Sequence, residues 1–452
     1  MSKKERKVSP ELEKTVRYQA LEILLRVRKN QAYSNLMIKK AKVEEKDRAL
    51  LAELVYGTIS RRYTLEYILS PFIQGKKVQD WVQELLLLAL YQLLFLDRVP
   101  NHAVVDESVK IAKEKGNPGI GKFVNGVLRN LLRSDLKDPR AIQDPIERLS
   151  IMYSVPKDLV SLIVDQYGKK EAEDLLASLL TPSHASARLT KREDDREDCL
   201  ETLKKEGFSV KESPVSPDGI IAATGHLAGS KAFKEGRITI QDESSMLVAP
   251  ALQVEPQHQV LDACAAPGGK TGHIASYLDA TQGGKVTALD IHQHKCELIE
   301  ETAARLHVTD RVTAQTLDAR KVGDTFAKES FDRILVDAPC SGLGLMRRKP
   351  DIKYSKSITD LSRLSTIQLQ ILNACAPCLK QGGIMVYSTC TINKEENEAV
   401  VTQFLKEHPE FTLIPVQGAE SIPASVHPLG VTILPHQYHT DGFFISCLQK
   451  SK

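Results

Sequence analysis

A chain of 452 residues with 42% hydrophobic and 26% charged residues has the balance of a folded globular protein, long enough for two or three domains with a sizeable core. The formal net charge of +3 conceals an asymmetry: residues 1–150 hold 28 Lys+Arg against 19 Asp+Glu, a balance of +9, and the remainder holds 33 against 39, a balance of −6. The opening Met1-Ser2-Lys3-Lys4-Glu5-Arg6-Lys7 lacks the apolar stretch of a signal peptide, and the most apolar run, Leu85 to Leu96, is too short to span a bilayer. Eight unevenly spaced cysteines therefore predict a reducing, cytoplasmic setting rather than a disulfide framework. A monomer without membrane or metal partners is expected, and the basic front third is suited to a polyanion.

From Pro10 to about Arg133 the apolar spacing is helical: Val16, Ala20, Ile23, Leu24 and Val27 share one face, as do Leu50, Leu51, Leu54 and Val55. Gly57, Pro71, Gly75, Pro100 and Gly116 punctuate these runs and predict a bundle of five to seven helices, with Leu85–Leu96 as its core helix. The polar stretch from Ser134 to Pro145 marks a boundary, and residues 146–180 read as two further helices. From Ala187 to about Gly236, short alternating stretches flank a charged segment and predict a small α+β subdomain. From Ile238 onward apolar strand runs alternate with helical stretches, at Val260-Leu261, Val286–Leu289, Val312–Leu317, Ile334–Val336, Ile384–Val386 and Gly442–Ile445. That alternation predicts a doubly wound α/β sheet. Cys375-Ala376-Pro377-Cys378 has CxxC spacing with no second pair, and is read as a helix end stopped by Pro377.

Val260-Leu261-Asp262 followed by Ala263–Thr271 is a strand, a small-residue turn and a helix start, in which Gly268 and Gly269 allow close backbone approach to a ligand. The Gly-Lys-Thr ending is no phosphate-cradling loop, because Cys264 stands where that motif requires its first glycine. Asp290, Asp318 and Asp337 close the second, third and fourth strands. An acidic side chain at such a position accepts from ribose hydroxyls. Three carboxylates suit an adenosine bearing a cationic group better than a dinucleotide pyrophosphate, so S-adenosylmethionine is expected ahead of a nicotinamide cofactor.

Cys340 and Cys390 each follow a run of β-formers, Phe331–Val336 and Gly383–Tyr387, so both should emerge at the carboxyl edge of one parallel sheet and face one crevice. A soft thiolate adds to an electron-poor carbon; attack at carbon 6 of a pyrimidine makes carbon 5 nucleophilic, and a second thiol could help remove the proton afterwards. Arg347, Arg348 and Lys349, close behind Cys340, could hold phosphates.

The glycine loop, Asp337-Ala338-Pro339-Cys340 and Ser388-Thr389-Cys390 together resemble the RNA 5-methylcytosine methyltransferases of the NOL/NOP/Sun family, as do the segments Gly342–Asp351 and Gln241–Ser245. Lys122–Asn130 is similar to NusB-type RNA-binding helical domains. The resemblance covers nearly the whole chain and is weakest across 187–236. It implies a NusB-like helical domain over 1–140, linker helices with a small α+β subdomain over 141–236, and a Rossmann-like S-adenosylmethionine-dependent methyltransferase over 237–452. It further implies Cys390 as nucleophile, Cys340 as the thiol that assists product release, and Asp337 at the polar edge of the base. Cys264, Ala265, Ala266, Pro267, Gly268, Gly269, Lys270, Asp290, Asp318 and Asp337 are then expected to line the cofactor site. The implied substrate is a cytosine in small-subunit ribosomal RNA. Transfer RNA methylation, DNA-type chemistry with the Pro-Cys cysteine as nucleophile, and an inactive RNA-binding assembly factor are the alternatives.

Overall fold

The computed structural model describes residues 8–30, 34–190, 196–223, 226–355 and 358–451, and the chain divides into two compact units, residues 1–181 with 346–355 and residues 182–345 with 356–452.

The first unit is all helix. After a short turn at Pro10–Glu13, seven helices run through Val16–Asn30, Ser34–Lys40, Arg48–Ser60, Arg62–Ile73, Asp80–Phe95, Asn101–Lys115 and Pro118–Leu131 among the described residues. The last starts where Asn117 accepts from the amide of Ile120 and Pro118 takes the first helical position, which needs no amide donor. Asp80–Phe95 is the central helix, with Leu85 through Tyr91 all buried. Its Glu84 is fully buried and is neutralised by Arg62, at 2.7 and 3.0 Å, and Arg28, at 3.2 Å. Two of the expected breaks are not breaks. Gly57 lies inside a helix because any Cβ there would sit 2.0 Å from the Tyr91 ring, and Pro71 falls in the final turn of Arg62–Ile73. The unit also continues past the polar stretch at 134–145. Three helices rather than two, Pro145–Tyr153, Lys157–Tyr167 and Lys169–Ser178, follow it, and Thr64 Oγ1 donates to Ile151 O at 2.6 Å.

Residues 346–355 complete this unit. Lys353 is buried with its ammonium between the carboxyl ends of two helices, donating to Ser60 O at 3.2 Å and Tyr153 O at 3.3 Å, while Tyr354 OH donates to Ile59 O and Ser154 O. Burial, reinforced by Arg61, pulls Lys353 down to about 7. Between that value and the ordinary lysine range the unfolded chain binds a proton that the folded chain does not, so this group makes stability rise with pH. The melting temperature of the wild-type protein is therefore expected to gain on that of Lys353→Met as pH rises from 7 to 9. A difference that stays constant over that range would contradict the assignment.

The second unit holds two sheets. Strands β1 (Ala185–Leu189), β2 (Val210–Glu212), β3 (Gly219–Ala222) and β4 (Ile238–Ile240) form a small antiparallel sheet in the order β2-β3-β1-β4, covered by the helix Arg196–Lys205 through Cys199 and Leu203. The large sheet comprises β5 (Gln259–Asp262), β6 (Lys285–Asp290), β7 (Val312–Thr316), β8 (Phe331–Asp337), β9 (Leu379–Thr389), β10 (Phe411–Ile414), β11 (Val426–His427), β12 (Gly430–Ile433) and β13 (Phe443–Lys450). Its order is β11-β12-β13-β9-β8-β5-β6-β7, with β10 also paired to β13. Strands β5 to β9 are parallel, which is the doubly wound arrangement expected; β13 enters antiparallel beside β9 and makes the sheet mixed. Strand order reverses at β5, and ligand crevices open at the carboxyl ends of strands at such a point. Beside it, the helix Ile358–Cys375 ends just ahead of Pro377.

Candidate active site

The turn after β5 is tied down on its outer side. Ala265 N donates to Leu289 O at 2.8 Å, Thr302 Oγ1 donates to Pro267 O at 2.9 Å, and Gly268 has φ +99°. A Cβ on Gly268 would meet Ile299 Cα at 3.1 Å, so this residue also permits helix packing, and Gly269 has open space around it. Asp262 is fully buried at the strand end, accepts from Thr271 Oγ1 at 2.7 Å, and is pushed up to about 7 by burial.

A cavity of about 470 Å³ lies at the carboxyl ends of these strands, a volume in the range of small-molecule sites. Of the predicted residues, Cys264, Ala266, Asp290, Asp318, Asp337, Cys340 and Cys390 line it, and Ala265, Pro267, Gly268, Gly269 and Lys270 do not. Asp290 closes β6 as expected. Asp318 does not close β7, which stops at Thr316; it caps the following turn by accepting from Arg320 N, and Arg320 Nη2 holds its carboxylate at 2.6 Å. That hydrogen bond keeps Asp318 below the usual carboxylate range. Arg320, Lys295 and the exposed Ile291 also line the cavity and were not singled out in the sequence, where each reads as an ordinary helix or turn residue.

Strands β8 and β9 pair in register with Asp337 opposite Ser388, and Ala338 N continues the ladder to Ser388 O at 2.9 Å. The two cysteine turns therefore leave the sheet side by side, and Cys340 Sγ and Cys390 Sγ stand 3.0 Å apart. Close approach of the turns depends on glycine: a Cβ on Gly344 would lie 1.9 Å from Gly442 O and 2.8 Å from Cys390 O. The hydrogen bond with Cys390, followed by burial, pushes the Cys340 thiol up. Lys270 turns to Asp337, donating at 2.8 Å, while Ser388 Oγ donates to the other Asp337 oxygen at 2.8 Å. Burial would lower Lys270, but Asp337 and the charge of Cys390 outweigh it and hold the ammonium above its ordinary range. The site thus places a cation near Cys390. Arg347, predicted as a phosphate contact, is buried, whereas Lys349 is exposed.

Three family descriptions match: the NusB family over residues 14–133, the ferredoxin-like domain of the RsmF/B-like methyltransferases over 155–226, and the 16S rRNA methyltransferase RsmB/F over 249–449. The chain is 46% identical to the probable ribosomal RNA small subunit methyltransferase B of Bacillus subtilis, over 96% of this chain and 99% of that protein. The chain belongs to the small-subunit ribosomal RNA methyltransferase B family. Two solved structures share the fold of this family member. The crystal structure of PH0851 aligns with a TM-score of 0.79 and 24% identity over 99% of this chain and all of its own. A methyltransferase homologue from Pyrococcus horikoshii aligns with 0.58 and 27%, over 68% of this chain and all of its own. No group of His, Cys, Asp and Glu among the described residues could hold a metal ion, and no described helix is long and apolar enough to cross a membrane.

Thiols at this separation should couple readily. Mild oxidation with diamide is expected to link the Cys340 and Cys390 peptides in the wild-type protein within minutes, and to do so at least ~10-fold more slowly in Gly344→Ala, where the turns are forced apart. Equal rates in the two proteins would show that glycine does not set the thiol separation.

Proposed function

We propose that this protein transfers a methyl group from S-adenosylmethionine to carbon 5 of a cytosine in small-subunit ribosomal RNA through a covalent cysteine adduct. The observation that carries the reading is the pair of thiols, 3.0 Å apart, opening on a cavity that also holds Asp290, Asp318 and Asp337. S-adenosylmethionine would supply an electrophilic methyl group on a sulfonium centre. The lining fits such a group: carboxylates suit its cationic centre and ribose hydroxyls, and Ile291, 53% exposed beside Asp290, offers apolar surface for a base.

The target cytosine must leave its stack for its face to be reached. Cys390 Sγ bonds carbon 6, and the electron pair of the 5,6 double bond moves to make carbon 5 nucleophilic. Lys270 supports the thiolate that attacks, and Asp337, fixed by Lys270 and Ser388, faces the polar edge of the base. Once carbon 5 carries the methyl group, its proton passes to water that the Cys340 thiol positions. The double bond re-forms and Cys390 leaves as thiolate. RNA also meets the helical unit, where a groove of about 360 Å³ sets Lys76 and Lys77 above Val78, Val82, Ile120 and Phe123, a basic rim over an apolar floor suited to a phosphate and a base.

With labelled cofactor and small-subunit RNA, Cys390→Ala is expected to lose methyl transfer by about 10³-fold or more while binding cofactor normally. Cys340→Ala should slow release by about 10²-fold or more and accumulate a protein–RNA adduct that survives denaturing electrophoresis. Substantial turnover by Cys390→Ala, or an adduct in that variant alone, would overturn the assignment. In binding assays, replacing Lys76 and Lys77 together by alanine should reduce the slope of log affinity against log salt by about 1.4, the value for two phosphate contacts to a single strand. An unchanged slope would remove the groove from the RNA path.

A further inference from the structure

Beyond the strand ends, one buried carboxylate holds the two cysteine turns together. Glu396 is fully buried and no described cation pairs with it. Its Oε2 accepts from Ser341 N, the amide next to Cys340, at 2.8 Å and from Gln368 Nε2 at 3.1 Å; its Oε1 accepts from Asn393 Nδ2 at 3.3 Å. Gln368 Nε2 also donates to Pro339 O at 3.0 Å, on the other side of Cys340. The backbone carbonyl of Glu396 accepts from Tyr387 OH at 2.6 Å, three residues before Cys390, and Ser341 Oγ shares a 2.8 Å hydrogen bond with Thr391 Oγ1, one residue after it. A buried carboxylate without a cation is costly unless fixed donors meet it, and here the donors belong to the segments that carry or support the two thiols.

We propose that Glu396 is a positioning residue for the methyl-transfer reaction: its carboxylate seats the Cys340 turn against the Cys390 turn and so sets the relation between the two thiols. The inference rests on the roles given to those thiols above and goes beyond them by assigning what holds Cys340 in place. The charge of Glu396 has a second effect. The titratable groups facing Cys340 are Cys390, Glu396 and Tyr387, and after the Cys390 hydrogen bond and burial, Glu396 is among the causes that keep the Cys340 proton in place. One carboxylate therefore both locates Cys340 and disfavours its thiolate.

The test uses the full-length protein with Glu396→Gln, which preserves shape and removes the charge. Gln368 Oε1 is buried without a partner and can turn to accept from the new amide, so the fold should survive. Two readouts are taken. In the Cys390→Ala background, alkylation of Cys340 by iodoacetamide is followed against pH by peptide mass spectrometry, and Glu396→Gln should move its midpoint to lower pH. In the otherwise wild-type protein, Glu396→Gln should slow turnover about 10- to 100-fold and accumulate the denaturation-resistant adduct, with cofactor binding unchanged. Added to Cys340→Ala, it should cost little more. An unmoved midpoint, or slowed turnover without adduct while Cys340→Ala does trap, overturns the role of Glu396 alone. If Cys340→Ala itself traps nothing, the covalent reading fails, and the alkylation midpoint still decides whether Glu396 acts on Cys340. Should Glu396→Gln not fold, Gln368→Ala is expected to give the same trapping at smaller amplitude, and full turnover by that variant overturns the proposal.

Discussion

Parallel pairing of β8 with β9, with Asp337 opposite Ser388, is the constraint on which the site depends. Residues two and three positions past the paired ends must leave a parallel sheet on the same edge, and this brings a thiol from each of two distant stretches of chain to 3.0 Å. Because both strands are central and buried, slipping β9 by a residue would turn Tyr387 to the opposite face of the sheet. The register that the core enforces is thus the register that the chemistry needs. Gly344 and Gly442 then let the turns beyond the sheet close to backbone contact.

Around this pair the charges are divided. Lys270, steadied by Asp337, stands on the side of Cys390, and Glu396, held by Ser341 N, Gln368 and Asn393, stands behind Cys340. Two identical side chains in one crevice therefore have neighbours of opposite charge. The carboxylates of the cavity are divided too. Asp318 is met by Arg320, Asp290 has Lys295 at 3.8 Å, and Asp262 stays buried beneath the turn, outside the cavity lining.

Much of this was legible in the sequence because it is written in local patterns. Runs of β-formers ending in Asp, Pro-Cys or Thr-Cys locate strand ends, and strand ends in a doubly wound sheet locate a site. Asp290, Asp337, Cys340 and Cys390 were found in that way, and Cys264 through the resemblance of the glycine loop. What was missed depends on tertiary proximity. Glu396 sits in a run of charged residues, Lys394-Glu395-Glu396, that reads as solvated surface, and only the fold shows it fully buried. Gly57 looks like a helix break because the Tyr91 ring that fills its place lies on another helix. Strands β10, β11 and β12 are two to four residues long, too short for an alternation to register, and β13 became antiparallel through pairing that its own residues do not specify. Residues 346–355 follow the Cys340 turn in sequence yet complete the helical unit, which no composition shift announces.

The central claim is that Cys390, and not Cys340, bonds the base. RNA carrying 5-fluorocytosine tests it directly in the wild-type protein, because fluorine at carbon 5 cannot leave as a proton does and the adduct is frozen before elimination. Digestion and mass spectrometry of the trapped complex should place the nucleotide on the peptide containing Cys390. A nucleotide on the peptide containing Cys340 would contradict the account and reverse the two thiols.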